Sequence, residues 1–227
     1  MIEKEIRFDA GRSSGDVSAI FMRPENARWL MVLAHGAGAG MRHAFMAGAA
    51  QSLAKHGIAS FRYQFPYMEH GKRTPDPQPI LLKTVYSAVA AARENARDLP
   101  LLAGGKSLGG RMTSTAASRE DLPGVRGIAF FGFPLHASGK PSDERGGHLF
   151  EIRLPLLFLQ GTRDKLADLE LLGPLCTRLQ AQGRAELYII EGADHGFHVP
   201  KRAGRTDEDV LEEIGHAVAR WASGLTP

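Results

Sequence analysis

Three side chains of this 227-residue chain stand in an order and a setting that suit one chemistry. Ser107 lies in GGKSLGG, Asp164 in LQGTRD and His195 in EGADHGF. A serine hydroxyl is a poor nucleophile until an imidazole takes its proton, and the imidazole needs a carboxylate to hold its tautomer and balance the charge it gains. Serine, acid and histidine so arranged would carry acyl transfer through a covalent intermediate on Ser107.

The setting of Ser107 is the strongest part of this signal. Leu99 to Met112, LPLLAGGKSLGGRM, reads as a buried strand, a glycine-hinged turn and a helix, the context that a G-x-S-x-G nucleophile elbow requires. Gly105 and Gly109 flank the serine where a side chain would collide with neighbouring backbone, and the apex residue is driven toward positive φ. The pentapeptide alone is a weak signal in a chain with 26 glycines, so the strand and helix around it carry the argument. Asp164 follows the strand LPLLFLQ and His195 follows AELYII, which puts both in turns at the sheet edge that holds Ser107. Asp168 is the alternative acid, or a helix cap. His198 is the alternative histidine; His195 is preferred because it comes first after its strand, between Asp194 and Gly196, with Asp194 shaping the turn.

Acyl transfer also needs N–H donors for the developing oxyanion. Leu108 supplies one, and the glycine-rich LAHGAGAG supplies the other, from Ala37 or alternatively Gly38. His35 suits a role in holding that turn better than the role of a base. Arg62, Lys72, Arg73 and Arg111 lie in or beside the expected site loops and would suit a carboxylate-bearing substrate, against the plainer reading of solvated charges. Phe65, Tyr67, Phe133 and Phe197 would line an acyl pocket or anchor loops in the core.

The elements that must position these residues follow from periodicity and breakers. Glu5 to Phe8 and Val17 to Met22 are expected as an antiparallel edge. Strands WLMVLAH, IASFRYQF, the elbow strand, GIAFFGF, LPLLFLQ and AELYII then alternate with helices over about His43–His56, Pro79–Arg97, the elbow helix, Asp168–Gln182 and Asp207–Ser223. Such alternation predicts one α/β domain over residues 1–227, with a mainly parallel sheet and helices on both faces. Pro66 to Pro79 and Pro134 to Arg153 lack periodicity, follow strand ends, and are the expected walls of a site.

Rival readings fail on spacing. GKS would need a glycine at Pro100 to form a phosphate loop, and GAGAG would need glycine or alanine at Met41 for dinucleotide binding. The histidines show no metal-ligand spacing, so no metal and no cofactor are expected. Cys176, the only cysteine, sits among apolar residues at helical spacing and reads as a buried structural thiol. The net charge of +3 is interleaved, which argues against a nucleic-acid partner. MIEKEIRFDA lacks a signal peptide's apolar core and no stretch approaches membrane-spanning length, so a cytoplasmic protein without a membrane partner is expected.

The ordered segments resemble the small α/β hydrolases related to the KANL3/Tex30 group, near the dienelactone-hydrolase-like proteins. HGAGAGMRHAFM looks like that family's oxyanion loop, FRYQFPYMEHGKRTPDP its proline-rich loop and GGKSLGGRM its elbow, with FGFPLHASGKP, LFLQGTRD and GADHGFHVPKRAGRT following. ERGGHL, at Glu144 to Leu149, departs from the family's pattern. The resemblance implies the α/β-hydrolase fold without a large helical lid, and puts nucleophile, acid and histidine at Ser107, Asp164 and His195. It implies a serine hydrolase acting on a small ester or thioester; because some relatives serve as subunits of complexes, a binding or scaffold protein is the alternative. The oligomeric state is left open.

Overall fold

The computed structural model describes residues 1–12 and 14–226. Its eight strands are β1 (Ile2–Asp9), β2 (Asp16–Arg23), β3 (Trp29–Ala34), β4 (Ile58–Tyr63), β5 (Leu101–Lys106), β6 (Val125–Phe131), β7 (Leu156–Gly161) and β8 (Ala185–Ile190). They form one sheet in the order β1-β2-β4-β3-β5-β6-β7-β8. β1 pairs antiparallel with β2 and β2 antiparallel with β4; all other pairs are parallel. The expected antiparallel edge is present, and the switch to parallel pairing begins where βα alternation begins.

The inner strands read as nearly unbroken apolar runs because both faces of a parallel sheet are covered. In β3, Leu30, Val32 and Ala34 enter one core while Met31 and Leu33 enter the other. Helices α1 (Ala44–Lys55) and α6 (Asp207–Ser223) cover the second face. Helices α3 (Gln78–Asn95), α4 (Leu108–Arg119) and α5 (Leu169–Gln180) cover the first, and the short α2 (Pro66–Glu69) precedes α3. α1 and α6 approach so closely that a Cβ on Gly215 would lie 2.2 Å from Ser52 Oγ.

Capping chemistry sets several boundaries. His43 accepts from Phe45 N–H at the start of α1, Asp168 accepts from Glu170 N–H at the start of α5, and Thr206 and Asp209 form a reciprocal capping box on α6. Cys176 is buried in α5, and burial pushes its thiol up to about 12, an inert structural thiol.

Two stretches expected as irregular are partly helical. Within 66–79, Pro66 starts α2, whose Glu69 accepts from Ser18 N–H and Oγ–H and so ties the turn to β2. Within 134–153, Glu144–Glu151 forms 3₁₀ turns: Gly146 presses against Leu175 where a Cβ would lie 2.3 Å from Cδ1, and His148 Nε2 bonds Ser114 Oγ of α4 at 2.8 Å. The unusual ERGGHL is thus explained by close packing on α4 and α5. Among the described residues, no helix is long and apolar enough to cross a membrane.

Close backbone packing also underlies the elbow. A Cβ on Gly105 would sit 2.3 Å from the Ala34 carbonyl oxygen, and one on Gly109 2.5 Å from the same atom. Gly105→Ala should therefore push β5 off β3 and cost about 1–3 kcal/mol or more. Urea unfolding checks this: a midpoint lowered accordingly is expected, and an unchanged midpoint would contradict the contact.

Candidate active site

Three turns at the C-terminal edge of the sheet bring the serine, histidine and carboxylate together. Ser107, between β5 and α4, has φ 50° and ψ −115°, a strained conformation for a residue with a side chain. Ser107 N–H donates to Phe131 C=O, and Arg111 N–H to Ser107 C=O, so the turn is held from both sides. His195 Nε2 lies 2.8 Å from Ser107 Oγ, and His195 Nδ1 lies 2.7 Å from Asp164 Oδ2. Since an ionised carboxylate only accepts, Nδ1 carries the proton and Nε2 is the acceptor facing the Ser107 hydroxyl.

Asp164 has a side chain only 1% exposed, yet its charge is well supported. Besides His195, Oδ2 accepts from Gln160 Nε2 at 2.5 Å and Oδ1 from Leu166 N–H at 2.8 Å. Gln160 in turn accepts from Phe133 N–H through Oε1. Gln160 is a positioning partner that sequence reasoning missed; only its place as a lone polar residue in an apolar strand could have signalled it. Asp168 caps α5, accepting from Glu170 N–H through Oδ1 and donating its own N–H to His136 Nε2, so it is not the partner of His195.

The acid and histidine turns are laced together. Arg163 N–H donates to Ala193 C=O and Gly192 N–H to Thr162 Oγ1. Asp194 shapes the histidine turn by accepting from Gly196 and His198 N–H. Phe197 follows at φ 65°, a second strained residue with a side chain. His198, the alternative histidine, lines the cavity beside Ser107 but is paired with another carboxylate: its Nδ1 meets Asp207 Oδ2 at 2.5 Å, a contact that raises its proton affinity.

The loop after β3 lies against the elbow. A Cβ on Gly36 would be 3.7 Å from Ser107 Cβ, and Ala37 lines the same cavity as Ser107. Of the two candidate donors expected here, Gly38 N–H is engaged with Tyr67 Oη at 3.2 Å. Leu108 opens α4, so its N–H is one that the helix itself leaves unpaired. His35 braces this loop: Nδ1–H donates to Gly36 C=O at 2.7 Å, and Nε2 accepts from Phe65 N–H at 3.1 Å.

A cavity of about 430 Å³ opens beside Ser107. Its apolar wall includes Phe45, Met46, Leu166, Phe197 and Leu211. Phe45, also missed in the sequence, stacks on Phe197 with ring centroids 5.3 Å apart. The expected walls at 66–79 and 134–153 are corrected: the cavity is built from the β3–α1 and β8–α6 connections instead, because α2 and the 3₁₀ turns fold onto the body.

Of the candidate substrate-binding residues, Phe197 lines this cavity, whereas Gly38, Arg62, Phe65, Tyr67 and Phe133 do not. Phe65, Tyr67 and Phe133 are fully packed in the core. Arg62 is buried in the sheet, 3.8 Å from Glu3. Lys72 and Arg73 are exposed beyond α2, and Arg111 lies beside Arg145 and His148 on the flank of α4. A groove of about 760 Å³ between α3 and the end of α4 is larger but lies away from Ser107, with Lys83, Arg93, Glu94 and Glu120 on its walls.

Residues 27–223 match the family model described as "Alpha/beta hydrolase domain". Among solved structures, the chain is similar to a dienelactone hydrolase from Anabaena variabilis, with 17% identity and a TM-score of 0.76 over 100% of this chain and 99% of that one. It is also similar to an alpha/beta serine hydrolase without lid from Xanthomonas campestris, with 18% identity and a TM-score of 0.73 over 96% and 94%. The esterase domain of a Rhodothermus marinus protein matches with 16% identity and a TM-score of 0.70 over 99% of each chain. At such identities the likeness is one of fold.

Burial lowers His35 to about 4. The unfolded chain takes up this proton near pH 6.5 while the folded chain refuses it until about pH 4, so stability falls as pH drops through that interval, by up to about 3 kcal/mol. In urea titrations at pH 7 and pH 4.5, His35→Gln should lose less stability than wild type; equal losses would contradict the assignment.

Proposed function

The chain belongs to the alpha/beta hydrolase domain family, and from that premise we propose that it is a serine hydrolase cleaving a small ester or thioester through Ser107, His195 and Asp164. The observation that carries this reading is the unbroken chain of hydrogen bonds, 2.8 Å from Ser107 Oγ to His195 and 2.7 Å from His195 to the buried Asp164. The ordered segments, from HGAGAG to GADHGFHVP, favour the KANL3/Tex30 group within the family. Residues 1–227 act as one domain.

Ser107 Oγ attacks the substrate carbonyl carbon as its proton passes to His195 Nε2. The carbonyl oxygen becomes an oxyanion that accepts from Leu108 and Ala37 N–H. Asp164 keeps Nδ1 protonated and balances the imidazolium without taking its proton. Collapse breaks the bond to the alcohol or thiol, which leaves with the proton from Nε2. Water then gives a proton to Nε2 and its oxygen to the acyl carbon; the second collapse frees the acid and returns the proton to Ser107. These steps use only side chains, backbone donors and water.

The cavity favours an apolar acyl group. Its walls are mainly aromatic and aliphatic and carry no arginine, and the basic groups among them are engaged within the protein, Lys106 with the His195 carbonyl and His198 with Asp207, which disfavours a carboxylate-bearing substrate. Each methylene buried there contributes about 0.8 kcal/mol, or roughly fourfold in kcat/KM.

With p-nitrophenyl esters, kcat/KM should climb from acetate toward butyrate and fall when a distal carboxylate is added. Ser107→Ala should lose turnover, and Asp164→Asn should fold normally with kcat reduced on the order of 10⁴-fold. A flat chain-length profile would contradict the acyl assignment, and full activity in Ser107→Ala would contradict the nucleophile.

A further inference from the structure

Lys106, the residue before the nucleophile, is buried, with only 9% of its surface exposed. Its Nζ donates to the backbone carbonyl of His195 at 2.5 Å. The ammonium lies 5.3 Å from the centroid of Phe197 and 5.8 Å from that of Phe45, the stacked pair on the cavity wall. A Cβ built on Gly132 would sit 3.2 Å from Lys106 Nζ, 3.5 Å from Asp164 Oδ2 and 3.5 Å from His195 Nδ1. Ammonium, carboxylate and imidazole therefore converge on one small patch of backbone that only a glycine leaves open.

Burying an ammonium costs free energy that a methionine of similar length would avoid. The neighbouring Asp164 and Asp194 offset part of that cost. What the charge gains in return is a fixed donor aimed at the main chain of the histidine.

We infer that Lys106 is a positioning residue: it fastens the His195 carbonyl to the elbow, so that the imidazole is held through its backbone as well as through Asp164. This inference rests on the reading of Ser107 as the nucleophile. Without the fastening, the turn bearing His195 relies on Asp194 and the lacing to the acid turn. The ring is then freer to leave Ser107 Oγ, and a misplacement of even 1 Å is enough to slow the chemistry many-fold.

Burial lowers Lys106 to about 8, while Asp164 and Asp194 act the other way. The charged and titratable groups facing it are Asp164, Asp194, His195 and His198. As pH rises through about 8, the charge-assisted bond to His195 becomes a weaker neutral one, so Ser107 reactivity falls. Stability moves the other way. Between about 8 and 10.5 the unfolded chain binds a proton that the folded chain does not, so stability rises with pH across that window.

The test compares wild type, Lys106→Met and Lys106→Gln for inactivation by a fluorophosphonate from pH 6 to pH 10, with thermal unfolding alongside. Lys106→Met should lower the maximal inactivation rate by about tenfold or more. Its KI should stay within about twofold, its Tm should be unchanged or higher, and the decline above pH 8 expected of wild type should be absent. Lys106→Gln keeps an N–H donor without the charge and should recover part of the rate, again without the alkaline decline; it decides the matter on the same criteria if the methionine variant fails to fold. Rates within about twofold of wild type, or an alkaline decline that persists in the variants, would overturn the inference. A wild-type protein that takes no label would instead overturn the assignment of Ser107 on which the inference rests.

Discussion

The carbonyl of Ala34, at the end of β3, leaves no room for a side chain at either Gly105 or Gly109. That contact sets how sharply the chain turns between β5 and α4. Packed so closely, β5 ends against β3, α4 starts over the sheet edge, and Ser107 at the apex takes a backbone conformation that other settings would reject. The strain is sustained because β5 is buried between β3 and β6 and α4 is packed on the sheet beneath it. Every other part of the site is arranged around a hydroxyl whose position is fixed in this way.

The same edge solves an electrostatic problem. Asp164 is a buried charge, and an unsupported one would cost several kcal/mol. Gln160, Leu166 N–H and His195 supply donors to its two oxygens, so the carboxylate is stabilised by the same contacts that orient the imidazole. His35 solves the opposite problem one strand away: held neutral by burial, it joins the loop after β3 to the segment after β4 without placing a charge near Ser107.

Much of this was legible in the sequence because it depends on local patterns. Apolar runs separated by amphipathic stretches located all eight strands and the ends of α1, α6 and β8 closely, and glycines marked the elbow. Ser107, Asp164 and His195, which the structure brings within hydrogen-bond reach of one another, could be singled out as candidates because each follows a strand in a glycine-bearing turn. The cavity walls were not legible. Phe65, Tyr67 and Phe133 look like pocket aromatics in sequence, and only the folding of α2 and the 3₁₀ turns onto the body shows that they are core. Phe45 was missed because it stands in the first turn of a helix, 62 positions before Ser107, where no spacing rule ties it to the serine. Gln160 and Lys106 act through contacts 4 and 89 residues away in the chain, and no spacing rule points to them.

The central claim is that Ser107 is an activated nucleophile because His195 and Asp164 make it one. The most direct measurement is intact-mass analysis of purified protein after exposure to a fluorophosphonate, with peptide mapping and Ser107→Ala as the control. A single adduct per chain that maps to Ser107 and vanishes in the variant is the predicted result. No adduct on well-folded protein, or an equal adduct on Ser107→Ala, would contradict the claim and favour a binding or scaffold role for the same fold.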